Sequence, residues 1–368
     1  MKKILMLFTD MYNHGGIQQY NRNLSAALAS TFPGDRFTII SLHDSPDAIC
    51  AEKSDNIKIK FCGHLNSPWI RKAAFITETL YAYILHRPAF LICGHVDLSP
   101  LAFFMKKIFG LKYALLTHGT DVWTIKAGIK YMGFKNADMI LTVSRYTKAK
   151  LVSNGVDARK IRYLPNAVDM SLFYPKDTNH MLRQKLGLIN KRVLLTVGRM
   201  HPDEKYKGHD IMLDVLGKLD KKYTWLVVGS GEDLPRLRKK AMESGVSDRV
   251  IFLGEVSGEE LCDYYNLCDC FIMPSKGEGF GIVFLESLAC GKCVIAGNKD
   301  ASLEPLMGGH LGFTVDPDDF DSITKTIDSV FNIKDERTDP KYLRKEVKSN
   351  FGIGLFNKKA KEIFADYL

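Results

Sequence analysis

The sequence contains no apolar run approaching the length of a membrane span, so no membrane-crossing helix is expected within it. It has no internal repeat and no low-complexity tract, so solenoids and disordered scaffolds are not expected. Cysteine is scattered, with eight in 368 residues, and the Cys290/Cys293 pair lacks the second pair a zinc site would need. Scattered thiols of this kind predict a reducing, cytoplasmic setting without a disulfide framework. Cys290 and Cys293 have redox-motif spacing, but they fall between a helix and a strand and read as buried structural residues. No Gly-x-Gly-x-x-Gly stretch is present: residues 229–234 read Gly-Ser-Gly-Glu-Asp-Leu, with leucine in place of the third glycine, and no Gly-Lys-Ser/Thr follows to make a Walker loop. No recognition-helix pattern or interleaved RNA-binding aromatics occur, so a nucleic-acid partner is not expected. The apolar start, Ile4 to Phe8, is too short for a signal peptide and lacks a small-residue cleavage site; it reads as a first buried strand.

What the sequence does have is an uneven charge. Residues 1–177 carry 23 Lys+Arg against 13 Asp+Glu, a net of +10, and residues 178–368 carry 28 against 29, a net of −1. The first half is therefore expected to meet an anionic substrate or an anionic membrane surface. Short apolar runs alternate with helical patterns along the whole chain. Strands are expected at Lys3–Thr9, Phe37–Leu42, Ile57–Cys62, Phe90–Cys93, Tyr113–His118, Met139–Val143 and Ile161–Leu164. Six more are expected at Val193–Gly198, Thr224–Gly229, Val250–Gly254, Cys270–Pro274, Cys293–Gly297 and Gly312–Val315. This alternation predicts two α/β domains with parallel, doubly wound sheets, which bind ligands at the carboxyl ends of their strands. The linker lies in Asp169–Asn190, which places the domains at 1–175 and 176–351.

The densest candidate site is Gly277-Glu278-Gly279-Phe280-Gly281, followed by a helix from Ile282 that carries Glu286. The glycines should bare backbone amides at a helix N-terminus, which suits phosphate and other electron-rich groups. Glu286 is expected two turns beyond Glu278 on nearly the same face. Two carboxylates beside bare amides suit a ligand with hydroxyls at both ends and a charged middle, as in a nucleotide sugar. Arg199 leaves the strand that opens the second half, and Lys207 stands near the start of the next helix. Together they make a fork and a point charge apt for a diphosphate; Lys205 reads as a solvated neighbour. In the first half, Gly15 and Gly16 let the loop after the first strand turn sharply before a helix that begins near Gln18. His118 follows a strand and is trailed by Gly119 and Asp121; Ser144 and Asn166 lie in later polar turns.

These motifs resemble the retaining glycosyltransferases of family 4, in order and in spacing. They are Gly15-Gly16-Ile17, His118-Gly119-Thr120-Asp121, Val143-Ser144, Pro165-Asn166-Ala167-Val168-Asp169, Gly198-Arg199, Lys207-Gly208 and the Glu278/Glu286 block. The resemblance implies a GT-B fold, two Rossmann-like domains facing each other across a cleft, with a last helix after about Gly352 returning to the first domain. It implies Glu278 at the donor sugar's hydroxyls beside the amides of Gly279, Phe280 and Gly281, and Glu286 at the ribose. Arg199, Lys207 and the Gly16 amide would meet the diphosphate, and Gly15, Gly229 and Val256 would also line the donor. His118 would lie near sugar and acceptor, and Gln18, Asp121, Ser144 and Asn166 are candidates on the acceptor side. The family's chemistry needs neither metal nor cofactor; the donor, a UDP- or GDP-sugar, is a substrate. Cys293 stands where the family often has proline, and Ser287 where it often has alanine. Leu101–Lys112 and Trp69–Phe75 mix aromatics with cations, as segments lying on an anionic membrane do, which would make the acceptor a lipid-linked saccharide. The alternatives are another GT-B class, a phosphorylase or a nucleotide-sugar epimerase, or a non-catalytic carbohydrate-binding subunit.

Overall fold

The structure is a computed structural model that describes residues 1–13, 15–48 and 54–368. His14 of the first glycine loop and Cys50 lie outside the described residues. The first sheet comprises β1 (Lys3–Phe8), β2 (Arg36–Ser41), β3 (Ile57–Phe61), β4 (Phe90–Cys93), β5 (Tyr113–Thr117), β6 (Met139–Thr142) and β7 (Ile161–Tyr163). The second comprises β8 (Arg192–Val197), β9 (Tyr223–Val228), β10 (Val250–Gly254), β11 (Cys270–Met273), β12 (Cys293–Gly297) and β13 (Phe313–Val315). Every expected strand is present, with ends within two residues of those read from the sequence. The central ones are buried on both faces, as β4, β5, β6, β9 and β11 are throughout. Such strands must be covered by helices on both sides, which is why they pair in parallel.

The strand orders are β3-β2-β1-β4-β5-β6-β7 and β10-β9-β8-β11-β12-β13. In each sheet the order reverses once, between β1 and β4 in the first and between β8 and β11 in the second. Loops leaving the carboxyl ends of those two strands diverge at the reversal and open a crevice there. In the second sheet these are the loops that carry Arg199 and Lys207, and Glu278.

The chain divides into two compact units, Met1–Asn166 with Ile353–Leu368, and Ala167–Gly352. The division falls nine residues ahead of the 175/176 boundary read from the sequence. Packing gives the reason. Phe173 is buried edge-on against Tyr265, and the Arg344 guanidinium donates to the carbonyls of Phe173 and Met170. The polar linker thus begins only after Phe173 has joined the second core. The helix Ile353–Phe364 belongs to the first unit, with Phe356 against Tyr20 and Phe364 against Phe90.

The floor of the second crevice is a hydrogen-bonded layer. Buried Trp225 of β9 donates to Thr196 Oγ1 of β8 at 2.9 Å, and that hydroxyl donates to the Ile272 carbonyl of β11. A satisfied buried network across three strands fixes their register and holds the loops above them.

Candidate functional site

In the second unit, β8 gives way to Gly198 and Arg199, then to a 3₁₀ turn at Pro202–Lys207. Glu204 lies within that turn. Its carboxylate pairs with Lys207 Nζ at 3.0 Å and also with the Arg199 guanidinium. Lys207 and Glu204 are only 14% and 13% exposed, whereas Arg199 is 68% exposed and its head reaches solvent. The Lys207 stem lies over Gly198, where an added Cβ would stand 3.2 Å from Lys207 Cδ. Lys205 is exposed, as expected.

The loop after β11 is locked against this turn. Tyr206 packs on Gly277 so closely that a Cβ there would lie 2.7 Å from the ring, and the Tyr206 carbonyl accepts from Lys276 N at 2.8 Å. Asp300, buried beyond β12, then fixes Glu278. Its Oδ2 accepts from Ser275 Oγ at 2.6 Å and from Glu278 N at 2.6 Å, and the Glu278 carbonyl accepts from Ala301 N at 3.1 Å. With its main chain clamped at both ends, Glu278 has little freedom. Burial pushes its carboxyl pKa up; Lys207 and Arg199 oppose that shift, and Asp300 and Glu204 reinforce it. Two cations and three acids therefore act on one another at the β8/β11 reversal.

The expected geometry of the glutamate pair needs correction. Glu278 is not helical: the helix runs Ile282–Ala289 and is capped by Gly281 in the left-handed region. Glu286 therefore lies one turn into the helix, and the same-face argument does not apply. Burial, Lys207, Asp300, Glu204 and Arg199 bear most on Glu278, whereas burial and Tyr265 bear most on Glu286. Glu286 accepts from the hydroxyl of buried Tyr265 at 2.7 Å, while burial raises its pKa to about 7. Phe280 is buried edge-on against Phe351. It holds the Gly279–Gly281 turn at the head of the helix, whose first amides have no acceptor within the helix. The two departures from the family pattern sit in this region: Ser287 is buried, with no partner for its hydroxyl among the described residues, and Cys293 is half-buried.

Gly229, at the end of β9, donates its N–H to the Gly254 carbonyl at 2.8 Å. At φ 129°, and with the Gly198 carbonyl 2.2 Å from where a Cβ would be, no other residue fits there. This contact draws the ends of β8, β9 and β10 together, with half-buried Val256 following Gly254.

In the first unit, the loop after β1 is organised by two acids. Asp44 accepts from the amides of Met11 and Tyr12, and Asp10 accepts from Gln18 Nε2 at 2.7 Å. Gln18 folds over Gly15, which has φ 154°; a Cβ at that position would meet Gln18 Oε1 at 2.2 Å. The helix begins at Gly16, two residues earlier than expected, and both glycines are exposed. His118 leaves β5. Its amide donates to Asp121 Oδ1 at 3.0 Å, and its Nε2 lies 3.0 Å from the Gly94 carbonyl. That carbonyl can only accept, so Nε2 carries the proton and Nδ1 is an acceptor. Burial lowers the His118 pKa and keeps the ring neutral. Asp121 thus orients the histidine turn.

Ser144, expected on the acceptor side, serves as a helix cap in the structure. It is fully buried and caps the helix Arg145–Ser153, accepting from Thr147 N and donating to Thr147 Oγ1. Asn166 is buried, and its Oδ1 has no partner among the described residues. The sequence reading missed Glu204, Tyr206, Asp300 and Tyr265. Of these Glu204 and Tyr206 lie between the two singled-out cations, but neighbouring Asp203 is an equally placed acid, so the sequence did not single Glu204 out.

The profile of the Glycosyltransferase Family 4 domain matches residues 14–172, and that of Glycosyl transferases group 1 matches residues 180–347. The chain is 31% identical over 346 residues to a D-inositol 3-phosphate glycosyltransferase of Acidothermus cellulolyticus, covering 83% of this chain and 75% of that one. It is 31% identical over 227 residues to a GDP-mannose-dependent alpha-(1-6)-phosphatidylinositol monomannoside mannosyltransferase of Mycolicibacterium smegmatis. That match covers 57% of this chain and 58% of the relative, less than two thirds of its length. Among solved structures, sucrose-phosphate synthase from Thermosynechococcus elongatus superposes with a TM-score of 0.84 at 20% identity, covering 100% of this chain and 99% of that one. Anabaena HepE in complex with UDP and glucose superposes with a TM-score of 0.82 at 18% identity, covering 100% of both chains. At such identities the likeness concerns the fold.

Proposed function

The chain belongs to the group 1 glycosyl transferases of glycosyltransferase family 4, with the GT-B fold, and on that premise we propose that it moves a sugar from a nucleotide-diphosphate donor to an acceptor hydroxyl with retention of anomeric configuration. The observation that carries this reading is the charge cluster at the β8/β11 reversal, where Lys207 and Arg199 share one internal carboxylate, Glu204, beside the clamped Glu278. Both cations pair with Glu204, and the Arg199 head reaches solvent, so this fork and point charge are free to re-pair with an incoming diphosphate, which they match in size and geometry.

In this reading Lys207, Arg199 and the amides at Gly279–Gly281 receive the charge that builds on the leaving diphosphate as the glycosidic bond breaks. Such groups accelerate the step because they bind the developing charge more tightly than the ground state. Glu278 grips the sugar hydroxyls, Glu286 the ribose, and Gly229 and Val256 border the base. The departing phosphate oxygen takes the acceptor's proton, so no protein base is required, nor a metal or cofactor. Gly15, Gly16 and Gln18 in the first glycine loop, with His118 and Asn166, are assigned to substrate contacts made by the first unit. The proposed acceptor is a lipid-linked saccharide in cell-surface polysaccharide or glycolipid synthesis, met at the inner face of the plasma membrane. Among the described residues no helix is long and apolar enough to cross a membrane, so such contact would be peripheral.

The test is a thermal-unfolding screen against GDP-mannose, UDP-glucose and related nucleotide sugars, the first named for the mannosyltransferase relative and the second bound in a solved structure of Anabaena HepE. A cognate donor at 100 times its Kd should stabilise the protein by roughly 2.7 kcal/mol. The absence of stabilisation by every nucleotide sugar would remove the proposal.

A further inference from the structure

The helix Pro68–His86 of the first unit is apolar on the wrong side. Its inward face buries Phe75, Thr79 and Ala82. Its outward face, where a surface helix normally carries charge, presents Trp69 (80% exposed), Ile70 (59%), Ile76, Tyr81 and Ile84 (64%) over four turns. The stripe continues onto the helix Ser99–Phe109, because Tyr83 stacks on Phe109 at 4.4 Å and Phe104 and Ile108 beyond it are exposed. A contiguous exposed apolar face of this extent marks a docking surface.

Charge identifies the occupant. Between residues 68 and 112 there are six Lys and Arg but only two acids, Glu78 and Asp97. Both acids are engaged with lysines elsewhere, Glu78 with Lys60 and Asp97 with Lys130. The cations border the apolar face: Lys72 lies over Trp69, Arg87 over Tyr83, and Lys107 is exposed beside Ile108. A flat apolar surface fringed by cations is complementary to an anionic lipid bilayer, with side chains among the acyl chains and cations at the headgroups. We propose that this two-helix face docks the protein peripherally on an anionic membrane, Trp69 and Ile84 entering the interface. This deepens the reading of a lipid-linked acceptor and rests on it for its purpose.

The test is co-sedimentation with vesicles of phosphatidylcholine alone or mixed with phosphatidylglycerol, together with tryptophan emission. The wild-type protein should bind only the mixed vesicles, with a blue shift that Trp69→Ser abolishes. Ile70→Ser with Ile84→Ser should weaken binding by roughly tenfold or more, and Lys72→Gln with Lys107→Gln by about fivefold per charge. Thermal stabilisation by the cognate nucleotide sugar should be unchanged in all these variants. That readout separates a failure of docking from a failure of the glycosyltransfer reading. The proposal is overturned if the wild type ignores anionic vesicles at low salt, or if the double isoleucine variant binds them undiminished. It is overturned equally if the face instead mediates a dimer that the isoleucine variant dissociates in sedimentation.

Discussion

Replacing Lys207 with alanine should lower kcat by roughly 10²–10³, the typical loss when one preorganised donor to a transition-state charge is removed. The effect should be large because Lys207 is mostly buried and pinned over Gly198 beside Glu204, so it is already positioned before the reaction. Its removal also leaves Glu204 less neutralised, an acid that would repel the leaving diphosphate. The loss should fall mainly on kcat, since the charge it meets grows as the bond breaks. Lys205→Ala is the control. That side chain is exposed and only two residues away, yet the substitution should leave kcat and KM near their wild-type values. Full activity in Lys207→Ala would show that the diphosphate is bound elsewhere.

The second large effect concerns Glu286. If its carboxylate accepts from two ribose hydroxyls, Glu286→Ala should weaken donor binding by roughly 10²–10⁴, from two charge-assisted hydrogen bonds worth about 1.5–3 kcal/mol each. The pH dependence is more specific. Burial raises the Glu286 pKa from the ordinary 4.5 to about 7. Because the folded state holds this proton more tightly than the unfolded chain does, Glu286 lowers stability progressively as pH rises from 4.5 to 7, and its cost is complete above 7. A ligand whose hydroxyls donate to the ionised form relieves that cost. Donor affinity should therefore increase between pH 6 and pH 8, and Glu286→Gln should flatten the profile. The titrant should be the nucleotide sugar, whose phosphates do not titrate in this range. A wild-type affinity independent of pH, or an unchanged slope in Glu286→Gln, would show that Glu286 does not contact the ribose.

Much of the fold was legible because its strands are short apolar runs ended by glycine, proline or a polar turn, as at Cys270–Met273 before Pro274. The site was legible as far as its chemistry was local. Gly-Arg after β8, Lys207 before a glycine, and glutamate among glycines after β11 each mark the carboxyl end of a strand. What joins them was not legible. Asp300 reaches Glu278 across 22 residues and Tyr265 reaches Glu286 across 21, and neither contact leaves a mark in the neighbouring sequence. The cap that Ser144 makes with Thr147 was not separated from a ligand contact, because a polar residue after a strand looks the same whether it faces ligand or helix. The Glu278/Glu286 face was misjudged because the helical spacing was extended through Gly281, where the backbone turns left-handed. Cys290 is buried with its sulfur 3.9 Å from that of Cys262, and Cys293 is half-buried; both are free thiols.

In the proposed function the β8/β11 reversal of the second unit holds a nucleotide-diphosphate sugar by its charged middle. A crystal structure with the donor that stabilises the protein most tests it directly. Phosphate oxygens should lie within hydrogen-bonding distance of Lys207 Nζ and the Arg199 guanidinium, ribose hydroxyls on Glu286, and the sugar beside Glu278. A nucleotide bound elsewhere, with Lys207 and Arg199 still paired only to Glu204, would contradict it.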